Sequence, residues 1–599
     1  MTGFTPPAPF RTRPELRGTF GMTASTHWIA TATAQAVLER DGNAFDAAVA
    51  AAFVLHVVEP HLNGPGGDLV GIYVTANDPT PRVMAGQGPA PAGATIEHYR
   101  ELGFTEMPGS GVLAAAIPGS VPAWLRLLET RGTWELADVL AFAIGYARGG
   151  HPLLAAVANT IAGVRELFEH WPTSAAHWIP EGRMPQAGDL ATNEPYARTL
   201  ERLLAAGGTA ATREDRIRAA VAAWSTGFVV DEIARFTAEP HYQPSIDREV
   251  PGVLTADDMA GYQASDEDAV TLEFRGTTIA KAAAWGQGPV LLQALAILDT
   301  FDDSRLDPST ALGIHTIVEA LKLALADRDA WYGDGAVPLE LLADLLGPEY
   351  ARERAALIDE TASLEFRPGR PGGREPWLPP LRVGRPQQSA AGAGEPTLAK
   401  TEIPRGDTCH LDVADRHGNL VSVTPSGGWL QSSPTIPELG FCLGTRLQMT
   451  WLDAASPSAL TAGRRPRTGL SPTLLLRDGI PVETLGTPGG DQQDQWQLVY
   501  LLRRIVGGYD PQQAIDAPMF HTVSHVSSFE PRTWSPGELV VEGRVGTEVL
   551  AELTARGHRV TVEGDWSLGR LSMVGRDPAT GVLFAAANPR LAQGYAAGR

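Results

Sequence analysis

Gly406-Asp-Thr-Cys-His-Leu-Asp-Val-Ala-Asp415, then Arg416-His-Gly-Asn419, then Leu420-Val-Ser-Val-Thr424, is the stretch on which the reading of this chain turns. Residues 408–415 alternate polar and apolar side chains, the period of a strand with two different faces. Arg416-His-Gly-Asn419 is a turn signal, and 420–424 reads as the returning strand, so a hairpin is expected. Upstream, residues 367–407 are dominated by Pro, Gly, Arg and Ala and carry no sustained hydrophobic period. That composition reads as a linker or exposed excursion. A chain that can be cut at the end of a linker therefore meets, at Asp407–Thr408, a threonine held at the mouth of a hairpin.

Working outward, residues 28–40 and 43–58 are Ala-rich and helical in pattern, with Asn43-Ala-Phe-Asp46 as a cap. Helices are also expected at 121–130, 135–148, 152–169, 194–206, 288–299, 311–330 and 494–506. Strands are expected at 69–75, 473–477 and 482–485, with a terminal β region over 540–586. The expected organisation is an α-rich large segment, 1–407, ending in the linker, and a β-rich small segment, 408–599. No fixed-period repeat is present.

Composition narrows the function. Gly and Pro together make 111 of 599 residues, about 19%, against a usual ~12%, so tight turns are many. The formal charge is −21, which repels phosphate backbones and argues against nucleic-acid partners. The lysines are Lys281, Lys322 and Lys400, none of them follows a glycine, and so no phosphate-binding G-x-x-x-x-G-K-[ST] loop exists. Two cysteines, Cys409 and Cys442, make neither a disulfide framework nor a Cys-rich zinc site. The N-terminus has no basic start before an apolar core, and the most apolar early stretch, 47–58, is too short to span a bilayer. The expectation is a cytoplasmic enzyme without membrane, metal or cofactor.

A threonine opening a strand is ordinarily there because β-branching suits strands. Here its setting adds a second meaning. Cleavage before Thr408 would make its own α-amine the base for its hydroxyl. An α-amine has a pKa near ~7.7–8.0, suited to proton transfer at neutral pH. Downstream, Gly486-Thr-Pro-Gly-Gly490 is a turn leading into a helix, a place where backbone N–H groups can face an oxyanion.

At these residues the chain resembles the γ-glutamyltransferase family of N-terminal-nucleophile hydrolases. The resemblance runs in order through Gly42-Asn-Ala-Phe-Asp-Ala-Ala-Val49, Gly64-Pro-Gly-Gly67, Pro118-Gly-Ser-Val121, Ala326-Asp-Arg328, Gly406-Asp-Thr-Cys-His410, Asp415-Arg-His-Gly-Asn419, Arg465-Pro466, Ser471-Pro-Thr473 and Pro488-Gly-Gly490. Each piece is common; their order and spacing are specific. The resemblance implies an α/β fold, the four-layer αββα sandwich, and self-cleavage before a nucleophilic threonine. It also implies an αβ heterodimer made from one precursor, whose further assembly into dimers is left open. It makes Thr408 the nucleophile, Gly489 and Gly490 the oxyanion hole, and Ser426 the replacement for a second threonine that supports the nucleophile.

Departures bear on the substrate. Gln87 stands where the family has an arginine for a glutamyl α-carboxylate. Gly444-Thr-Arg-Leu-Gln448 replaces the segment that receives the α-amino group, so the family's acidic residue is lost at Gln448 and Arg446 appears in the segment instead. A cation there favours a substrate carboxylate near the scissile carbonyl. These changes resemble the branch that includes oxamate amidohydrolase. The expected function is hydrolysis of a small carboxylate-bearing amide such as oxamate. A γ-glutamyl transferase or hydrolase acting on glutathione-like substrates and an acyl C–C bond hydrolase are the alternatives.

Other residues have competing readings. His410 shares the strand face of Thr408 and is a candidate substrate contact, whereas Cys409 should point to the opposite face and pack in a core. Asp491 follows the glycines and would either orient the loop or bind an amide. Arg464, Arg465 and Arg467 read first as ion pairs. His56 and His61 lack the carboxylate spacing of a zinc helix.

Overall fold

A computed structural model describes residues 3–384 and 408–599. Asp407 and the latter part of the expected linker lie outside the described residues. Two seven-stranded sheets stack face to face, and all neighbours within each are antiparallel. The first runs Tyr595–Gly598, Gly21–Ser25, Leu411–Asp415, Leu420–Ser426, Asp68–Thr75, Asp78–Ala85, Ser265–Asp268. The second runs Leu16–Gly18, Leu583–Ala587, Ser572–Arg576, Ile480–Gly486, Thr473–Arg477, Thr277–Lys281, Val270–Phe274.

Three apolar layers hold the stack. Met22, Val70, Ile72, Leu474 and Val574 fill the space between the sheets. Helices Trp28–Glu39, Ala44–Val58 and Leu136–Gly149 cover the outer face of the first sheet. Helices Pro289–Leu298, Ala311–Trp331 and Gln493–Ile505 cover the second. The result is the expected αββα order. Ala44–Val58 is buried along its whole length and starts at a capping box of Asn43 and Asp46. No helix among the described residues is long and apolar enough to cross a membrane.

Several element expectations change. The α-rich segment before residue 408 and the β-rich segment from it share one core, because each sheet draws strands from both. The expected helix over 152–169 is two helices, Ala155–Gly163 and Arg165–His170. The terminal β region contains a helix, Thr547–Ala555. The described part of the linker is ordered against the body: Arg382–Val383 pairs in parallel with Thr533–Trp534. The strand expected from residue 408 begins regular pairing at Leu411, and Thr408 reaches the return strand through an isolated bridge to Ser426.

Candidate active site

The hairpin sorts its side chains by parity. Leu411, Val413, Val421 and Val423 join the helix-side core, together with Cys409. Residues of the other parity, Thr408, His410, Asp412, Ser422, Thr424 and Ser426, are all buried and point toward the second sheet, as strand alternation requires. Thr408 Oγ1 lies 3.3 Å from Ser426 Oγ. Ser426 in turn pairs across the next strand with Asp68. Thr408, Ser426 and Asp68 thus form a row of polar side chains on one sheet face.

A narrow cleft opens beside this row, lined by Gly67, Asp68, Ile117, Trp429, Arg446 and Gln448. Arg446 lies on a single 3-10 turn, Arg446–Met449. Its Nε donates to Asp68 Oδ2 at 2.7 Å and its Nη2 to Asp68 Oδ1 at 2.9 Å. Asp68, a partner the sequence does not announce, therefore holds the guanidinium by its forked edge. Gln448 Nε2 donates to Thr445 Oγ1 at 2.9 Å, while its Oε1 is buried with no partner among the described residues. Gln87 is also buried; its amide donates to Gly88 O, and its Oε1 has no partner among the described residues.

The second sheet supplies the turn. Ile480–Gly486 ends at Gly486, and helix Gln493–Ile505 begins after the 3-10 turn Gly490–Gln492. Gly489 has φ 133° and Gly490 φ 53°, values that L side chains rarely adopt. A Cβ on Gly489 would also meet the Trp496 ring at 2.3 Å. Gln287 Nε2 donates to Gly490 O at 3.0 Å. Asp491 does not line the cleft. It accepts from Arg328 Nη1, from Ser528 N at 2.9 Å and from Ser528 Oγ. Burial would raise its carboxyl, but Arg328, with His525 and Arg467, holds it well below the usual carboxylate range. Asp491 thus ties the turn to Arg328 and Ser528.

The whole chain bears the stamp of one family. Its residues 30–598 match the sequence model for Gamma-glutamyltranspeptidase. The protein belongs to the γ-glutamyltranspeptidase family. It is 30% identical over 594 residues to the oxamate amidohydrolase proenzyme of Klebsiella pneumoniae subsp. pneumoniae, covering 97% of this chain and 98% of that one. Among solved structures, LmbA2991HD is 51% identical with a TM-score of 0.91, covering 98% of this chain and 100% of that one. Cephalosporin acylase from Bacillus halodurans is 26% identical with a TM-score of 0.81, covering 98% of each. Two of these relatives are named as an amidohydrolase and an acylase, and this chain is an amide hydrolase of the N-terminal-nucleophile class.

Within this γ-glutamyltranspeptidase relative, His410 does not reach the cleft. Its Nδ1 lies 2.9 Å from Thr424 Oγ1 and its Nε2 3.0 Å from Asp412 Oδ2. Ser572 Oγ donates to the same Asp412 oxygen at 2.9 Å. The ring packs under Gly486, where a Cβ would lie 2.2 Å from His410 Cε1. His410 is thus a strut between the sheets, because the face it shares with Thr408 is covered by the second sheet at that depth. Cys409 does point the other way: its thiol donates to Glu59 Oε2 at 3.1 Å and accepts from Asn63 Nδ2 at 3.1 Å. Burial raises the Glu59 carboxyl.

Sequence reasoning missed Asp68, Glu59 and two buried ion pairs behind the turn. Lys281 Nζ meets Asp494 Oδ1 at 2.8 Å, and Arg328 meets Asp491. Arg328 stood inside a quoted motif without a role, and Asp68 directly follows Gly64-Pro-Gly-Gly67; neither position announces its partner. Arg465 makes the expected ion pairs, with Asp334 and Glu267, and Arg467 pairs with Asp329 at 3.6 Å; burial and Arg328 bring Arg467 down to about 10. His56 bonds to Tyr196 OH and Ser120 Oγ. Among the described residues, His315, Glu319 and His558 cluster closely enough to hold a metal. Glu319 is already bound by Lys322 and Arg367, two cations that match its charge and oppose a third.

Proposed function

We propose that the chain cleaves itself between Asp407 and Thr408 into segments 1–407 and 408–599, and that the exposed Thr408 then hydrolyses a small amide through an acyl-enzyme. The observation that carries this reading is the buried Thr408 hydroxyl, 3.3 Å from Ser426 Oγ and on the sheet face that looks toward the Gly489–Gly490 turn. In the first reaction the Thr408 hydroxyl attacks the Asp407 carbonyl. The peptide C–N bond breaks, which frees the Thr408 amine and leaves Asp407 as an ester on Oγ1; water then hydrolyses that ester, releasing the Asp407 carboxylate and restoring the Thr408 hydroxyl. In the second reaction that amine takes the hydroxyl proton as Oγ1 attacks the substrate carbonyl, and then delivers it to the leaving amine. Water, activated by the same amine, releases the acid. Gly489 and Gly490 face the oxyanion of each tetrahedral intermediate. Ser426 holds the nucleophile in its attacking rotamer.

The acyl group we favour is short and carries a carboxylate, with oxamate as the leading case. Arg446 stands in the cleft against Asp68, which lies one strand beyond Ser426, and Gln87 occupies the position where a γ-glutamyl carboxylate would need a cation. Similarity to an oxamate amidohydrolase over nearly the full length supports the same choice. The test is the intact mass of purified protein, followed by turnover of oxamate against γ-glutamyl-p-nitroanilide. A two-fragment protein that releases ammonia from oxamate supports the reading. Rapid cleavage of the anilide with no action on oxamate overturns the substrate.

A further inference from the structure

The row of Thr408, Ser426 and Asp68 ends on a carboxylate that the reaction above does not use. Asp68 and Arg446 are both nearly fully buried, and they meet in the forked geometry that arginine uses for its strongest carboxylate contacts. Both are pinned from behind. A Cβ on Gly67 would lie 2.2 Å from Ser426 O, and one on Gly66 would lie 2.1 Å from Cys442 O, so the backbone entering Asp68 is packed tightly against two strands of chain. Arg532 donates to Gln448 O and Thr450 O, which fixes the turn that carries Arg446. The pair is a fixed wall of the cleft.

We propose that Asp68 is a specificity-determining residue: it keeps the forked edge of Arg446 for the protein, so an acyl group entering the cleft meets a neutral ion pair instead of an open cation. The inference rests on the reading that this cleft takes the acyl group. A single substrate carboxylate can then sit beside Arg446 with a modest grip, which suits release of an acid product. A second carboxylate is repelled by Asp68, and an ammonium by Arg446. The pocket accordingly selects short monoanionic acyl amides over dianionic and α-amino acyl groups.

The experiment compares cleaved wild-type protein with Asp68→Asn, which keeps an oxygen for Arg446 and removes the charge. The readouts are oxalate binding by calorimetry and oxamate kinetics. The expected result is oxalate bound about tenfold more tightly by Asp68→Asn, a KM for oxamate lowered with kcat changed less than about threefold, and no change for uncharged oxamide. Oxalate affinity that stays within about twofold of wild type, or weakens, overturns the inference. A second measurement needs no variant: in wild type, oxalate and oxamide should bind within about fivefold of each other, and a preference for oxalate above about fiftyfold overturns the neutral pocket. If oxalate binding tightens while oxamate is not hydrolysed, the substrate reading falls and the role of Asp68 stands. If oxamate is hydrolysed and oxalate binding does not tighten, only the role of Asp68 falls.

Discussion

At Thr408 a hydroxyl that is otherwise an ordinary strand feature is placed 3.3 Å from a second hydroxyl, on a buried sheet face and at the first described residue after the linker. Thr408→Ala removes the attacking oxygen, so the protein should remain at full length on a denaturing gel, while Thr408→Ser should still be cut. Full cleavage of the alanine variant at this bond would remove Thr408 from the chemistry. Gly490 tests the other half of the reaction. An oxyanion contact strengthens only as charge develops, so its loss belongs to kcat and not to KM. In a folded and cleaved Gly490→Val protein, kcat should fall by the equivalent of about 2.7–4 kcal/mol, and wild-type kcat would refute the assignment. The placement of both residues was legible in the sequence because the signals are local: a linker meeting a strand, and two glycines between a strand and a helix. Asp68 was not legible. Its partner Arg446 is 378 positions away, and no spacing rule reaches that far.

The element that ties these residues together is the turn from Gly486 into helix Gln493–Ile505. It is fastened to the large segment by two buried ion pairs, Arg328–Asp491 and Lys281–Asp494. Lys281 also donates to Ser471 O at 2.9 Å and Thr473 Oγ1 at 2.8 Å, so it anchors the neighbouring strand as well. Removing one partner of such a pair leaves the other charge buried and alone, which costs about 3–5 kcal/mol. Lys281→Ala should therefore lower the unfolding free energy by that amount, whereas the double variant Lys281→Met with Asp494→Leu should cost much less. Equal losses in the single and double variants, measured by denaturant unfolding, would show that the ion pair is not what holds the turn. Element positions were readable where caps and turn residues mark their ends, as in Ala44–Val58 after the Asn43 cap and Thr473–Arg477 before Asp478-Gly479. They were missed where the period is hidden. Asp78–Ala85 contains Pro79 and Pro81, which demote a strand reading, yet it pairs on both sides within the first sheet. Gly21–Ser25 is buried on both faces, so it shows no alternation to read.

Across the whole molecule, the two segments on either side of residue 407 interleave in both sheets. In the first sheet Leu411–Asp415 and Leu420–Ser426 lie between Gly21–Ser25 and Asp68–Thr75. Cutting the chain there therefore leaves the fold joined, and fragments of 407 and 192 residues seen under denaturing conditions should co-elute as one species under native ones. The same burial sets how the fold responds to acid. His56, His61 and His521 are all enclosed, and burial lowers each to about 3 from an ordinary value near 6.5. In the unfolded chain each of them binds a proton below about pH 6.5; in the folded chain each stays neutral until about pH 3. The unfolded state therefore holds more protons throughout that window, and stability must fall as pH falls. Above pH 6.5 the contribution is complete, and below it each histidine removes about 1.4 kcal/mol per pH unit, near 2 kcal/mol by pH 5. The midpoint of thermal unfolding should thus drop steadily from pH 7 to pH 5. His56 is the clearest single test, because its bonds to Tyr196 OH and Ser120 Oγ are polar contacts that a neutral amide can replace. His56→Gln should flatten the pH slope by about one histidine's share while changing stability at pH 7.5 far less. A variant whose unfolding midpoint tracks wild type with the same slope from pH 7 to pH 5 would exclude His56 from the acid response.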